Sequence, residues 1–320
     1  MIRRRPLLAA ALAAPALANA QVAYPTRPVR VIIPFGPGGG SDNLARLIEV
    51  GAGRALGQAL VIETRPGAGG VIGSEIVARA DPDGYTVLFT DSSFAINPSL
   101  VPRLPFDPAR DFIPTCLLAT GSSCLLVHPS LPVRSVAELV AMAKANPGGL
   151  SYASGGNGTG PHLAAELFKL AAGIDMVHVP YRGTGPATND VVAGHVKLMF
   201  NGVSAAKPHV DAGRLIALAV TGTTRNRGLP DVPTFAEVGL PQVEASGHWG
   251  VLLPARSPDV AVRKLAEAFA TGVRDPALQA RLDTLGFSVV GDGPEAYAEL
   301  LRTDTARWAE VVRRANIKLE

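Results

Sequence analysis

Two segments of the chain combine glycines with hydroxyl-bearing residues, and each stands between a predicted strand and a predicted helix. The first is residues 29–48, VRVIIPFGPGGGSDNLARLI, and the second is residues 150–170, LSYASGGNGTGPHLAAELFKL. In both, an apolar run precedes the glycines and apolar residues at helical spacing follow them. The N–H groups at the start of a helix carry partial positive charge, and glycine lets a ligand approach the backbone closely. Each segment therefore predicts an anion-binding site.

A nucleotide phosphate fits neither segment. A P-loop needs a lysine after its last glycine, and none follows Gly40. The dinucleotide fingerprint would begin at Gly36 but meets Ser41 where its last glycine should stand. In the second segment the same pattern meets Pro161. These departures argue against a nucleotide, and no cofactor is predicted.

A carboxylate suits both glycine segments better than a phosphate does. Neither glycine loop itself contains arginine or lysine, so a dianion would lack a balancing charge, while Ser41, Ser154 and Thr159 add hydroxyl donors. The structural alternative is that Ser41 or Asp42 caps the first helix and Thr159 caps the second. A cap and an anion site can share one helix end. Because the strand–glycine–helix arrangement occurs twice in this chain, we favour a role in ligand binding.

Catalytic and metal-binding patterns are weak in this sequence. There is no G-x-S-x-G or H-E-x-x-H motif, and the six histidines and two cysteines form no ligand spacing, so no catalytic or metal residue is predicted. We interpret His162 as loop-stabilising or ligand-facing, and His178 and His195 as structural. Tyr181 is either a cleft wall or core. Cys116 and Cys124 are either a disulfide, as export would permit, or two buried thiols.

Strand and helix signals alternate along the whole chain, which predicts an α/β fold with mostly parallel sheets. Predicted strands include residues 86–91, 176–181, 196–201 and 214–222. Two capping boxes, Ser135 with Glu138 and Thr234 with Glu237, each predict a helix start. About 300 residues is long for one core, so two domains are expected. Two domains that each present a glycine loop suggest a cleft between them.

The first 20 residues have the features of a cleavable export signal. A basic start (Arg3, Arg4 and Arg5) precedes a short apolar run, and Ala18-Asn19-Ala20 provides an A-x-A cleavage site after Ala20. The Arg4-Arg5 pair leaves both the general secretory and the twin-arginine routes open. Without this segment the chain has 27 basic and 27 acidic residues, which gives no indication of a nucleic-acid surface. We therefore expect a periplasmic protein.

An ordered set of motifs over the remaining chain resembles the tripartite tricarboxylate transporter solute receptors, the Bug family of periplasmic binding proteins. The motifs are YPTRPVRVIIPFGPGGGSDNLAR, VIETRPGAGGVIGSE, ADPDGYTVLF, LPFDPARDFIP, YASGGNGTGPHLAAELF, HVPYRGTGPATNDVVAGHV and LPDVPTFAEVGLP. The resemblance implies a two-lobed fold, each lobe a mostly parallel sheet flanked by helices. It implies lobe 1 at 21–122 plus 247–320 and lobe 2 at 123–246. It further implies a monomeric receptor that delivers a small organic carboxylate to membrane permease subunits.

The resemblance also implies where the ligand binds. A carboxylate would be held between the first glycine loop and a loop of the second lobe, with ordered waters sharing the contact. The residues implied are Phe35, Gly38, Gly39, Gly40, Ser41 and Asp42 on one side, Ser154, Gly156, Gly158, Thr159 and His162 on the other, and Ser92, Ser93, Tyr181 and Asn201 along the remaining cleft. Thr188 stands where the family commonly has leucine, and Pro37 removes one backbone donor near the ligand.

Two other functions are compatible with the sequence. The receptor could present its ligand to a membrane sensor instead of a permease. A secreted enzyme acting on an organic acid is the other alternative, although no nucleophile and base are paired in the sequence. The sequence does not identify the ligand.

Overall fold

The computed structural model describes residues 24–314 and residue 317, so the predicted export signal and its cleavage site lie outside the described residues. The strands are β1 (Val29–Ile33), β2 (Leu60–Thr64), β3 (Thr86–Asp91), β4 (Phe112–Gly121), β5 (Ser123–Val127), β6 (Ser151–Ser154), β7 (Val177–Pro180), β8 (Leu198–Gly202), β9 (Ile216–Val220), β10 (Gly247–Pro254) and β11 (Phe287–Asp292).

Helices follow most strands, as the alternating pattern predicts. They are α1 (Gly40–Leu56), α2 (Val71–Ala78), α3 (Ser93–Leu100), α4 (Val136–Ala145), α5 (Gly160–Ala172), α6 (Thr184–Val192), α7 (Val203–Asp211), α8 (Asp259–Val273), α9 (Pro276–Thr284) and α10 (Pro294–Arg314). In the described part of the chain, no helix is long and apolar enough to cross a membrane.

The strands form two sheets, which confirms the two-lobed α/β fold. The first sheet has the order β11-β4-β10-β3-β1-β2 and the second has the order β7-β6-β8-β5-β9. Both sheets carry helices, and their inner faces are apolar; the side chains of Ile32, Phe89, Phe168 and Phe200, for example, are fully buried. Burial of this apolar surface is the main term that stabilises each lobe.

The sheets are mixed, so the prediction of mostly parallel sheets is wrong in detail. Strand β1 pairs in parallel with β2 and β3, and β6 pairs in parallel with β7 and β8. The strands β4, β5, β10 and β11 pair antiparallel with their neighbours. Parallel neighbours are joined through helices. Strand β4 instead leads the chain out of the first sheet and β10 leads it back, so these two neighbouring strands run in opposite directions.

The chain passes between the sheets twice. Strand β4 of the first sheet continues into β5 of the second with only Ser122 between them, and the chain returns between β9 and β10. All strands of the second sheet lie within residues 123–220, and all strands of the first lie outside residues 123–246. This distribution supports the lobe boundaries implied by the resemblance, which stay a prediction.

The two cysteines lie on either side of the first crossing. Cys116 in β4 belongs to the first sheet and Cys124 in β5 to the second, and both are free and fully buried. Burial raises the pKa of the Cys116 thiol to about 12 and also raises that of Cys124, so neither is an activated nucleophile. Of the two sequence alternatives, buried thiols are what the structure contains.

Some local predictions were wrong at the element ends. Strands β7, β8 and β9 differ from the predicted ranges 176–181, 196–201 and 214–222 by up to two residues at each end. The Ser135 box starts α4 as predicted, with Ser135 Oγ accepting from Glu138 N. The Thr234 box forms both of its reciprocal bonds with Glu237, but only a turn follows. The proline and glycine residues after this turn leave no room for a helix.

Candidate functional site

A cavity of about 60 Å³ lies between the two lobes, beside both crossings of the chain. It is lined by residues of both sheets and of the connections between them: Gly40, Asp91, Ser92, Gly121, Ser123, Gly160, Pro161, Thr184, Asn201, Gly202, Ala245, Ser246, Gly247, Trp249 and Trp308. No lysine or arginine is among these lining residues. The cavity lining therefore contains no lysine or arginine charge.

Five helices begin at the wall of this cavity. Residues Gly40, Gly160 and Thr184 open α1, α5 and α6, while Ser92 and Gly202 are the N-caps of α3 and α7. The first N–H groups of a helix have no acceptor within the helix, and the helix dipole places partial positive charge there. These five N-termini therefore place partial positive charge at the cavity wall, although the first N–H groups of α3 and α7 already donate to Asp91 Oδ1 and Ser122 O.

The first glycine loop is closed by an internal carboxylate. Asp42 Oδ2 accepts a hydrogen bond from Gly38 N at 2.9 Å, and Asp42 Oδ1 accepts from Arg46 Nε at 2.9 Å. The N-cap of α1 is Gly39, so the alternative that Ser41 or Asp42 caps this helix is wrong. Ser41 Oγ instead donates to Asp91 Oδ2 at 3.2 Å. Asp42 thus holds the loop, and Gly40 lines the cavity.

The second glycine loop is held by its own polar side chains. Ser154 Oγ accepts from Gly156 N, and Thr159 Oγ1 donates to Gly156 O at 2.7 Å. Thr159 is the N-cap of α5 by position, as one alternative predicted, but its side chain does not cap the helix. His162 Nδ1 accepts from Gly158 N at 3.3 Å, which makes His162 loop-stabilising. These three side-chain contacts shape the loop from within.

Two histidines are stacked behind the second glycine loop. The His178 ring lies 4.8 Å from the Tyr152 ring and 4.3 Å from the His162 ring, and His178 Nε2 is 2.6 Å from Ser154 Oγ. Burial lowers the pKa of His162 to about 4 and that of His178 to about 3. Both rings are therefore neutral at neutral pH, which suits the structural role predicted for His178.

The first glycine loop contacts the second lobe at residues 182–185 and not mainly at the second glycine loop. A Cβ atom placed on Gly183 would lie 2.8 Å from Gly36 N, and one placed on Gly185 would overlap the Pro37 carbonyl oxygen. A Cβ atom on Gly39 would lie 2.7 Å from Thr184 Oγ1. The two lobes are therefore in close backbone contact here, and side chains are excluded from the contact.

A second interlobe cavity, of about 230 Å³, lies on the other side of this contact. Phe35, Gly156 and Tyr181 line it, together with residues 66–70. Tyr181 Oη donates to Asp190 Oδ2 at 2.6 Å, and burial together with that carboxylate raises the pKa of Tyr181 to about 12. Of the two alternatives for Tyr181, its place in the cavity lining matches the cleft wall.

The structure separates the predicted site residues into three groups. Gly40, Ser92 and Asn201 line the first cavity, and Phe35, Gly156 and Tyr181 line the second. The remaining ones support or face the loops and line neither cavity: Gly38, Gly39, Ser41, Asp42, Ser93, Ser154, Gly158, Thr159 and His162. The hydroxyl groups of Ser41, Ser154 and Thr159 are thus bonded within the protein, whereas Ser93 Oγ is buried without a partner among the described residues.

Sequence reasoning missed Asp91, Thr184 and the two tryptophans, Trp249 and Trp308. Thr184 lies in Gly183-Thr184-Gly185, a third glycine loop at a helix start, and that pattern could have revealed it. The tryptophans come from β10 and α10, and their Nε1 atoms are buried without an acceptor within the described protein. Nothing in their local sequence distinguishes them from core residues.

Asn201 is held in place at the cavity wall by the residue that departs from the family pattern. Asn201 Nδ2 donates to Thr188 Oγ1 at 2.9 Å, and Thr188 Oγ1 donates to Thr184 O at 2.7 Å. Asn201 Oδ1 accepts from Gly202 N. A leucine at position 188 could form neither of the two Thr188 bonds, so Thr188 fixes the orientation of this amide.

A serine, a histidine and an aspartate also meet near the cavity, but they do not form a catalytic triad. His248 Nδ1 lies 3.4 Å from Ser92 Oγ and 3.1 Å from Asp304 Oδ2, so one ring nitrogen faces both partners. A triad needs the two ring nitrogens to face different partners. Ser92 Oγ accepts from His248 N, which joins β10 to the end of β3. The arrangement is structural.

Comparison with known proteins agrees with this architecture. A curated relative, BugT of Bordetella pertussis, is 34% identical over 97% of this chain and 95% of its own length. The solved structure of the periplasmic binding protein BugD matches with a TM-score of 0.90 and 33% identity over 93% of this chain and 100% of that one.

Two other solved structures contain carboxylates. Rpa4515 of R. palustris with adipate matches with a TM-score of 0.89 at 34% identity, covering 92% of this chain and 99% of that one. MatC of Rhodopseudomonas palustris with bound malate matches with a TM-score of 0.87 at 31% identity, covering 90% and 100%. The model of the tripartite tricarboxylate transporter family receptor matches residues 44–317. The chain belongs to this receptor family.

Proposed function

We propose that this protein is a periplasmic receptor that captures a small organic carboxylate in the first interlobe cavity and delivers it to a tripartite membrane transporter. The observation that carries the proposal is that five helix N-termini meet at one interlobe cavity whose lining has no lysine or arginine. Such a site attracts a carboxylate through neutral donors. The adipate and malate bound by two relatives support the same ligand class.

The neutral donors also suit a receptor that must release its ligand. A hydrogen bond to a charged group contributes about 1.5–3 kcal/mol, so a few backbone N–H groups suffice for tight binding. Trp249 and Trp308 line the same cavity, and their indole N–H groups are buried without an acceptor within the described protein. Separation of the lobes would expose the ligand again, since the 36–39 and 182–185 loops contact each other only across the cleft.

Gly160 allows a sharp test of the charge of the ligand. A Cβ atom at this position meets nothing within 4 Å, so a side chain fits without a clash. Gly160→Asp places a carboxylate where the ligand's carboxylate is expected, and Gly160→Asn is its uncharged match. We expect Gly160→Asp to weaken binding of the best organic acid by about tenfold or more, and by clearly more than Gly160→Asn does.

The acid for that test comes from a thermal-shift panel of mono- and dicarboxylates, with their neutral amides as matched controls. A ligand at 100 times its Kd stabilises the fold by about 2.7 kcal/mol, which is easily measured. We expect the acids, and not the amides, to raise the melting temperature. A response only to phosphates or neutral solutes would contradict the proposal. Recovery of the ligand chemically unchanged separates a receptor from the enzyme alternative.

Delivery and localisation need a separate experiment. The export features of residues 1–20 and the periplasmic relative BugD support a mature periplasmic protein that begins after Ala20, and we propose that it acts as a monomer. In the source cell, deletion of the receptor should abolish uptake of the labelled acid. A sensing role predicts instead that uptake persists and that the transcriptional response to the acid is lost.

A further inference from the structure

Asp91 is an acidic residue in a cavity that otherwise suits an anion. It ends β3, lines the first cavity and keeps part of its surface accessible there. Its Oδ1 accepts from Ser93 N at 3.0 Å and its Oδ2 accepts from Ser41 Oγ at 3.2 Å. These two bonds fix the carboxylate in one position at the wall.

Two carboxylates near the cavity have arginine partners, whereas a third, Glu244, accepts from the N–H groups of Ser246 and Gly222. Asp42 pairs with Arg46, and Asp304 pairs with both His248 and Arg307. The hydrogen bonds from His248 and Arg307 lower the pKa of Asp304 although burial opposes this. Among residues 24–314 and 317, no lysine or arginine nitrogen lies within 4.0 Å of the Asp91 carboxylate. Asp91 is the acid among the lining residues of this cavity, and it lacks an arginine or lysine partner.

An unpaired carboxylate in such surroundings is unfavourable. Removing a charge from water costs free energy unless an opposite charge and hydrogen bonds replace the water. Burial accordingly raises the pKa of Asp91, against the opposing effects of the hydrogen bonds from Ser93 and Ser41 and of the nearby His248 ring. A cationic group of the ligand would supply the charge that the protein omits.

We propose that the natural ligand is a small zwitterion of the amino-acid class, whose carboxylate binds at the helix N-termini and whose ammonium group pairs with Asp91. This inference rests on the proposed function and narrows its ligand. The cavity places Asp91 beside Gly40 and Thr184, so that one small molecule can reach both a carboxylate and the first N–H groups of α1 and α6. A simple dicarboxylate would instead bring a second negative charge towards Asp91.

The test compares acids with their amino counterparts: propionate with alanine, succinate with aspartate, glutarate with glutamate, and adipate with 2-aminoadipate. Binding is measured by calorimetry on the wild-type protein. We expect at least one amino compound to bind about tenfold or more tightly than the acid that lacks the amino group. This comparison needs no variant and so does not depend on how a variant folds.

Asp91→Asn then identifies the group responsible. The amide keeps the size of the side chain and an oxygen that can accept from Ser93 N, but it has no charge. We expect this variant to lose the preference for the amino compound, with a melting temperature that confirms folding. The matched control is Asp175→Asn, an exposed acid in a loop of the second lobe, which should leave the preference unchanged.

The outcomes separate this inference from the proposed function. Binding confined to acids without a nitrogen donor, equal binding within every pair, or a preference that survives Asp91→Asn would each overturn the zwitterion proposal and leave the receptor intact. Failure of the entire carboxylate panel, amino compounds included, would overturn the proposed function itself.

Discussion

At the scale of single residues, the site depends on side chains that hold backbone rather than on side chains that hold ligand. Ser154, Thr159 and His162 were predicted as ligand contacts, and each is bonded to its own loop. Their residue types indicated the location correctly, because a loop that presents N–H groups must satisfy its remaining polar atoms internally. We therefore expect substitutions of these residues to weaken ligand binding mainly because they reduce the order of the loop.

The stacked histidines make acid stability a test of the second glycine loop. The pKa values of His162 and His178, about 4 and about 3, lie below the ordinary value of 6.5. The unfolded chain therefore binds protons that the folded protein excludes once the pH falls below about 6.5. We expect the free energy of unfolding to fall from about pH 6.5 towards pH 4.

Two variants check this in urea unfolding at a series of pH values. His162→Asn can keep an acceptor for Gly158 N, and His178→Gln can keep a group that contacts Ser154 Oγ. Each should reduce the proton uptake on unfolding by about one. His195→Asn is the control, since the His195 side chain is 71% exposed and lies outside the second glycine loop. If the free energy of unfolding falls equally steeply with acidic pH in both variants and in the wild type, the two histidines are not the source of the effect.

At the scale of elements, the decisive feature is where helices begin. The strand–glycine–helix pattern predicted the starts of α1 and α5 from local sequence, because glycine spacing and apolar periodicity are local signals. The sequence could not indicate that the first glycine loop would face residues 182–185, since that contact joins residues far apart in the chain. Asp91 could not be selected either, because an anion site gives no reason to expect a carboxylate.

The close contact between Gly185 and Pro37 across the cleft predicts an effect on lobe closure. A Cβ atom there would overlap the Pro37 carbonyl oxygen across the cleft, which is backbone and cannot rotate away. Alanine is otherwise favourable in the first turn of α6. We expect Gly185→Ala to fold normally but to bind the best ligand about tenfold more weakly, because the lobes cannot approach fully.

Calorimetry and solution scattering together check this prediction. Gly39→Ala offers a graded comparison, since its Cβ would meet the Thr184 hydroxyl, which can rotate, and its effect should be smaller. Gly293→Ala, where only the end of the Glu295 side chain lies within 4 Å, is the remote control. Wild-type affinity in Gly185→Ala would show that the backbone contact at Pro37 is not needed for binding.

At the scale of the whole molecule, the two crossings of the chain explain both the mixed sheets and the position of the site. Strands β4 and β10 lie side by side in the first sheet, and the cavity lining includes Gly121 and Gly247 at their ends. Motions of one lobe against the other must pass through these glycine-containing junctions. The alternating sequence pattern predicted two α/β lobes but could not reveal the antiparallel crossings, because strand direction depends on connections and not on periodicity.

The cavity wall also contains both tryptophans of the chain, Trp249 and Trp308. All indole fluorescence of this protein therefore originates next to the candidate ligand, and its emission should change when the cavity fills or the lobes separate. A titration of unlabelled protein should give the affinity directly. In Trp308→Phe, only the fluorescence of Trp249 in β10 should remain. Intrinsic tryptophan fluorescence should therefore report ligand capture and release in real time without any chemical label.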